Sequence, residues 1–93
     1  MGRFHLARPP KFLRTLKKFA KKHPNLRDET LRTLRMLEEN PFAPELRLHP
    51  LHGNLEGLHA VSITYAYRIT LILRIEESEI YLVGIGTHDE VYD

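Results

Sequence analysis

The spacing of apolar residues predicts two helices in the first half of the chain. Within residues 11–22 the apolar side chains recur every three or four positions, which is the spacing of one helical face, and Pro10 suits a first turn. A second helix is predicted over residues 26–39, before the break at Asn40-Pro41. Because so few residues separate the two helices, we expect an antiparallel hairpin. The positions that we assign to the apolar faces are Phe12, Leu13, Leu16, Phe19 and Ala20 in the first helix, and Thr30, Leu31, Leu34 and Leu37 in the second.

Short segments rich in apolar, β-branched and aromatic residues predict four strands. Residues 3–8 alternate apolar and polar side chains and form the first strand. Residues 58–64 and 67–75 are separated by Tyr65-Ala66 alone, which predicts a tight hairpin. A turn after residue 75 leads into the last strand, residues 79–85. Residues 40–54, with three prolines, are predicted to form a loop.

The order of these elements, β-α-α-β-β-β, predicts an α+β fold in which a helical hairpin covers one face of an antiparallel meander sheet. With 93 residues, 42% of them hydrophobic, we expect one globular domain spanning residues 1–93. No apolar run approaches the ~18 residues that a membrane span needs, and no signal-peptide core follows Met1. The chain has no cysteine, which excludes disulfides and thiolate metal sites. We therefore expect a cytoplasmic protein without a membrane contact.

The charges are distributed unevenly along the chain. Residues 1–52 contain 12 lysines and arginines against 5 acids, whereas residues 53–93 contain 2 against 7. A basic half of this kind favours an anionic partner, most often a nucleic acid, although a solvated helix face is the alternative. On the first helix the basic side chains predicted to bind RNA are Arg14, Lys17, Lys18 and Lys21.

The six histidines do not predict a metal centre. His49 and His52 are three residues apart and, with His59, His88 and an acid, offer zinc ligands. However, Pro50 prevents a regular helix between the first two, and no carboxylate cluster completes the shell. We expect no metal and no cofactor.

A cluster of titratable residues follows the last predicted strand, in Gly86-Thr87-His88-Asp89-Glu90-Val91-Tyr92. In a meander, the start of one strand lies beside the end of the next, so Arg68 is expected at the same rim of the sheet. A guanidinium there either binds a phosphate or forms a structural ion pair with Asp89 or Glu90.

These residue types suit RNA cleavage without a metal. The ribose 2′-OH loses a proton to a base and attacks the adjacent phosphate, while an acid protonates the leaving 5′-oxygen. His88 is a candidate acid or base, Arg68 stabilises the charge on the phosphorane, and Tyr92 transfers a proton or stacks on a base.

The chain resembles the RelE/ParE superfamily of type II toxin–antitoxin toxins along nearly its whole length. The similarity is sharpest in His49-Pro50-Leu51-x-Gly53-x-Leu55-x-Gly57, in Tyr67-Arg68-Ile69 and in residues 86–92. It is closest to the RelE and YafQ branches, which cleave mRNA in the ribosomal A site without a metal. The resemblance implies a RelE-like fold, a cognate antitoxin, binding to mRNA and to small-subunit rRNA of the ribosome, and a monomer when antitoxin is absent.

The same resemblance assigns roles by position. Arg68 matches the strand arginine that stabilises the transition state, and Tyr92 matches the C-terminal catalytic or stacking aromatic. His88 and His49 match histidines of the YafQ branch. The Asp-Trp pair of that branch falls at Ala66-Tyr67 here, and Tyr67 is a candidate RNA-binding residue. The family's strand lysines are absent, and a second histidine and a late arginine of the YafQ branch fall at Ser62 and Gly84. The base is then His88, His59 or His49.

Two other functions fit the same fold. A ParE-like toxin inhibits DNA gyrase and has no need of an arginine, a histidine and a tyrosine that converge at one rim. A catalytically degenerate toxin binds RNA or its antitoxin without cleaving.

Overall fold

The computed structural model describes residues 3–87 of the chain. Within this part, two α-helices and five strands follow one another along the sequence. Their bounds are β1 His5–Ala7, α1 Pro10–Lys22, α2 Arg27–Glu39, β2 His49–Pro50, β3 His59–Ser62, β4 Tyr67–Arg74 and β5 Glu79–Thr87. The predicted α+β class is confirmed, and β2 is an additional strand inside the predicted loop.

The five strands form one mixed sheet in the spatial order β1-β5-β4-β3-β2. Strands β2 to β5 pair antiparallel, whereas β1 runs parallel to β5, with His5 opposite Glu79. The predicted meander is confirmed for β3 to β5, and β1 is what makes the sheet mixed. Strand β2 escapes prediction because two residues, one of them Pro50, are too short to show an alternating pattern.

Helix α1 begins at Pro10, where the absent N–H removes no helical hydrogen bond. It ends at Lys22, and the N–H of His23 then donates to the carbonyl of Phe19 at 2.8 Å. Phe12 is fully buried, whereas the neighbouring Leu13 is 46% exposed. The assignment of Leu13 to the buried face is therefore wrong, because it lies at the margin of the apolar stripe.

Helix α2 buries two threonines beside Leu37. The hydroxyls of Thr30 and Thr33 donate to main-chain carbonyls four residues earlier, both at 2.8 Å, so neither is left without a hydrogen bond. Leu31, which the apolar spacing places on the inner face, is 39% exposed instead. Within residues 3–87 there is no helix of the length and apolarity needed to cross a membrane.

The hydrophobic core lies between the helices and one face of the sheet. Along each strand, the residues of that face alternate with residues of the other face. Ser62 of β3 is paired with Arg68 of β4, and each is next to a core residue in sequence, so both side chains belong to the face opposite the core. Arg68 is paired on its other side with Gly86 of β5. The buried core cluster consists of Leu6, Phe12, Leu37, Leu46, Val61, Ile69, Leu71, Ile80 and Leu82.

A β-bulge reorients the second half of β5. Thr70 is paired with Gly84 and Leu71 with Leu82, so Val83 is the extra residue. A bulge bends its strand and increases the local twist. At Gly84 a Cβ would lie 3.1 Å from Oγ1 of Thr70, so glycine permits this close approach of the two strands. The bulge thus sets the direction in which β5 reaches its last residues.

Candidate active site

Arg68 and His49 lie on the sheet face opposite the hydrophobic core. Arg68 is paired with Ser62 of β3, and His49 is paired with Ala60 of the same strand. Directly paired residues of antiparallel strands share a face, and residues 60 and 62 share one because side chains alternate along a strand. The sheet therefore brings two of the predicted catalytic residues to one surface.

The loop after His49 holds β2 beside β3. Gly53 and Gly57 have φ angles of 66° and 98°, a region that favours glycine. Through these turns the chain folds back so that the N–H of Leu51 donates to the carbonyl of Leu58 at 2.8 Å. The side chain of Leu51 is also buried. This burial and the hydrogen bond to Leu58 hold the backbone directly after β2 in place.

The Arg68 guanidinium is only partly satisfied by the protein. Its Nη1 donates to the carbonyl of Thr64 at 3.3 Å and to that of Tyr65 at 3.0 Å, which ties the arginine to the turn between β3 and β4. Its Nε is buried without a hydrogen-bond partner, and no carboxylate within residues 3–87 pairs with it. An unmade bond of a charged donor is costly, and such groups are typical of sites that receive a ligand.

Arg68 lines a pocket of about 280 Å³ that a second arginine shares. Arg47 has a left-handed backbone, with φ 53° and ψ 45°, which is uncommon for a residue other than glycine. Tyr65 lies at the rim of the pocket and is 92% exposed. Two guanidinium groups beside an exposed aromatic ring suit a phosphate and the base attached to it. The other residues that line the pocket are Glu45, Ser62, Ile63 and Thr64.

The tautomer of His49 is set by the main chain. Its Nδ1 lies 2.9 Å from the carbonyl oxygen of Arg47. A carbonyl only accepts, so Nδ1 carries the proton and Nε2 is the acceptor nitrogen of the neutral ring. This is the form of imidazole that a general base requires.

His59 is a second histidine of the sheet, on the strand beside that of His49. His59 is paired with Pro50 of β2, and Pro50 directly follows His49 in the sequence. Burial lowers the pKa of His59 below its usual 6.5, and the nearby His49 lowers this pKa further. The Nδ1 atom of His59 is buried without a hydrogen-bond partner. At neutral pH His59 is therefore uncharged, and within residues 3–87 no group of three His, Asp or Glu side chains forms a metal site.

The predicted RNA-binding residues lie on α1 and at the start of β4 and border more than one pocket. Tyr67 lies on the core side of the sheet, opposite Arg68, with its ring 5.3 Å from that of Phe19. Lys18 lines the same pocket as Tyr67, whereas Lys17 lines a groove between the two helices. Arg14 and Lys21 are exposed on α1.

The register at the end of the sheet agrees with the prediction, because Arg68 is paired with Gly86 in β5. His88 and Tyr92, predicted as catalytic, lie outside the described residues, as do Asp89 and Glu90. Their predicted roles remain predictions.

Sequence reasoning did not single out Arg47 or Tyr65. Arg47 is two residues before His49 in the sequence. Its left-handed backbone conformation places it at the pocket, and the local sequence does not predict that conformation. Tyr65 was assigned only to a tight turn. The available signal was its position, since an aromatic side chain in an exposed turn is not explained by burial in the core.

The sequence matches one family model over residues 5–93, described as "Bacterial toxin of type II toxin-antitoxin system, YafQ". A comparison with curated proteins gave no match. The similar solved structures cover almost the whole of this chain and of their own chains, so the similarity extends over the complete fold.

The crystal structure of YafQ from E. coli strain BL21(DE3) has a TM-score of 0.71 at 17% identity, covering 97% of this chain and 99% of that one. A YoeB/ParE toxin from Agrobacterium tumefaciens has a TM-score of 0.72 at 16% identity, covering 91% and 99%. The E. coli DinJ–YafQ toxin–antitoxin complex has a TM-score of 0.76 at 15% identity, covering 97% and 98%. At these identities the structures show a shared fold.

Proposed function

This chain belongs to the YafQ family of bacterial type II toxins, and we propose that it is a metal-independent endoribonuclease that cleaves mRNA on the ribosome. One observation carries the proposal: the guanidinium of Arg68, which no described carboxylate neutralises, and the imidazole of His49 share one sheet face. A cation for a phosphate and a base for a hydroxyl are the two groups that this reaction needs.

In the proposed reaction, Nε2 of His49 takes the proton of the ribose 2′-OH. The 2′-oxygen then bonds to the adjacent phosphorus, and Arg68 stabilises the additional negative charge of the phosphorane, joined by Arg47 from the other side of the pocket. The bond from phosphorus to the 5′-oxygen breaks, and an acid, for which His88 is our candidate, protonates that oxygen. The products are a 2′,3′-cyclic phosphate and a 5′-hydroxyl.

His59 supports the reaction through its low pKa. Because burial, and after it the neighbouring His49, lower the pKa of His59, this ring adds no positive charge near the proposed base at neutral pH. We assign the exposed ring of Tyr65, and Tyr92 from the C-terminal segment, to stacking on the bases that flank the cleaved bond.

The partners in this proposal are the ribosome with its mRNA and an antitoxin. The basic face of α1 suits the phosphates of small-subunit rRNA, with a salt-sensitive affinity that is independent of sequence. YafQ of E. coli forms a complex with DinJ, and we propose that a cognate antitoxin inhibits this chain in the same way. The site of action is the cytoplasm, where translation takes place.

Primer extension on an mRNA translated in a reconstituted system tests the proposal. We expect cuts within the A-site codon, and a loss of about 10²- to 10³-fold in Arg68→Ala, the range typical when a group that stabilises developing charge is removed. Arg74→Ala is the matched control, because Arg74 lies at the other end of β4 and pairs with Glu79 at 3.5 Å. Intact mRNA with the wild-type chain, together with poisoned DNA gyrase, would instead support a ParE-like inhibitor.

A further inference from the structure

A second pocket, of about 300 Å³, lies between α1 and the end of β5. Arg68 does not line it. Tyr67 does, and consecutive residues of a strand project to opposite faces, so the two pockets lie on opposite sides of the same sheet end. The reaction proposed above makes no use of this second pocket.

One wall of the pocket is aromatic. The rings of Phe19, His23 and Tyr67 contact one another, with centroids 4.8 Å apart for Phe19 and His23, 5.3 Å for Phe19 and Tyr67, and 4.7 Å for His23 and Tyr67. Phe19 is buried beneath the other two, which are half-buried and line the cavity. A half-exposed aromatic surface of this kind accepts a stacked base of any identity.

Two lysines also line this pocket. Lys18 and Lys22 are four residues apart on α1, so both point from the same flank of the helix. Both are exposed, and neither has an ion pair with a carboxylate within residues 3–87. None of the described residues that line this pocket is acidic.

We propose that this pocket binds one nucleotide of single-stranded RNA, with its base on the rings of His23 and Tyr67 and its two flanking phosphates on Lys18 and Lys22. The inference rests on the proposed function: an RNA strand whose phosphate is held at Arg68 continues over the end of the sheet into this pocket. The pocket thereby fixes the position of the strand at a distance from the cleaved bond.

Fluorescence anisotropy with a labelled 2′-O-methyl oligonucleotide of about ten residues measures this binding without cleavage, since the probe has no 2′-OH. We expect Lys18→Gln/Lys22→Gln to weaken binding at least about tenfold. We also expect the slope of log K against log salt to become less steep by about 1.4, because two phosphate contacts of a single strand are lost.

Arg32→Gln/Arg35→Gln is the matched control, with the same change of charge at two exposed positions of α2 that do not line this pocket. We expect it to change both the affinity and the slope by less than half as much. Equal losses in the two double variants would overturn the proposal, because they indicate a diffuse basic surface.

The aromatic wall is tested by Tyr67→Phe and Tyr67→Leu. The phenyl ring still stacks, so Tyr67→Phe should bind like the wild type, whereas Tyr67→Leu should bind at least about fivefold more weakly, which is about 1 kcal/mol. His23→Ala repeats this test if Tyr67→Leu fails to fold. Wild-type affinity in folded Tyr67→Leu or in folded His23→Ala would contradict stacking. Normal binding of the probe, together with intact mRNA in the primer-extension assay, would reject the nuclease and keep the pocket.

Discussion

His49 donates its Nδ1–H to the carbonyl oxygen of Arg47 across 2.9 Å, and this bond identifies Nε2 as the acceptor nitrogen of the neutral ring. The partner is a main-chain atom, so it persists when the Arg47 side chain is changed. The left-handed turn at Arg47 and the pairing of His49 with β3 hold the two groups in place. Orientation of the imidazole is thus a property of the backbone.

Replacement of His49 tests the assignment of the base. We expect His49→Ala to lower the cleavage rate by about 10²- to 10⁴-fold, the usual contribution of general acid–base catalysis. The rate is measured by primer extension on translated mRNA. His52→Ala is the control, since His52 is exposed three residues further on and should leave cleavage unchanged. Equal activity of the two variants would reject His49 as the base.

The stability of the fold should depend on pH through His59. Its pKa is below 6.5 in the folded protein, so between that pKa and 6.5 the unfolded chain binds more protons than the folded chain. The stabilisation is complete above 6.5 and is lost as the pH falls through this window to the folded-state pKa.

Thermal unfolding between about pH 5 and pH 7.5 measures this effect, in the range where histidine titrates. We expect the Tm of the wild type to fall toward the acid end, and that of His59→Asn to fall less. Parallel curves for the two proteins would show that His59 does not have a lowered pKa.

Two neighbouring residues of α1 should differ widely in their contribution to stability. Phe12 is fully buried in the core, so Phe12→Ala should lower the free energy of unfolding by about 3–5 kcal/mol. Leu13 is 46% exposed, and Leu13→Ala should cost less than about 1 kcal/mol. Urea denaturation measures both values, and similar losses would mean that the helix is rotated from the orientation described.

Reversal of charge on α1 tests the contact with the ribosome. Lys17→Glu/Lys18→Glu/Lys21→Glu places acids on a face that carries exposed lysines, which should weaken co-sedimentation with ribosomes and make the remaining binding less dependent on salt, because cationic contacts with phosphates are lost. The fold should persist, because exposed side chains away from the core contribute little to stability. Unchanged co-sedimentation would exclude this face from the interface.

Much of the fold is predictable from local patterns, because periodic apolar residues and short turns determine α1, α2 and the β3–β5 meander. The same meander predicts Arg68 beside the end of β5, and its pairing with Gly86 confirms that register. The parallel pairing of β1 with β5 is not predictable in this way, since it joins segments more than 70 residues apart, and a contact at that separation leaves no periodic signal.

The site is less predictable than the fold, because it depends on which face each side chain occupies. Tyr67 and Arg68 are adjacent in the sequence, yet their side chains reach different pockets. Leu13 and Leu31 fit an apolar helical pattern, but both line the groove between the helices and are partly exposed. Only the packing of one element on another decides these cases.

The chemical nature of the cleaved ends tests the central claim most directly. Fragments of an mRNA translated in the presence of the wild-type chain are labelled with polynucleotide kinase, with and without prior phosphatase. Attack by the 2′-OH predicts 5′-hydroxyl ends that are labelled without phosphatase, that are lost in Arg68→Ala and that persist in Arg74→Ala. Fragments with 5′-phosphate ends, or mRNA that stays intact while gyrase is poisoned, would contradict the account.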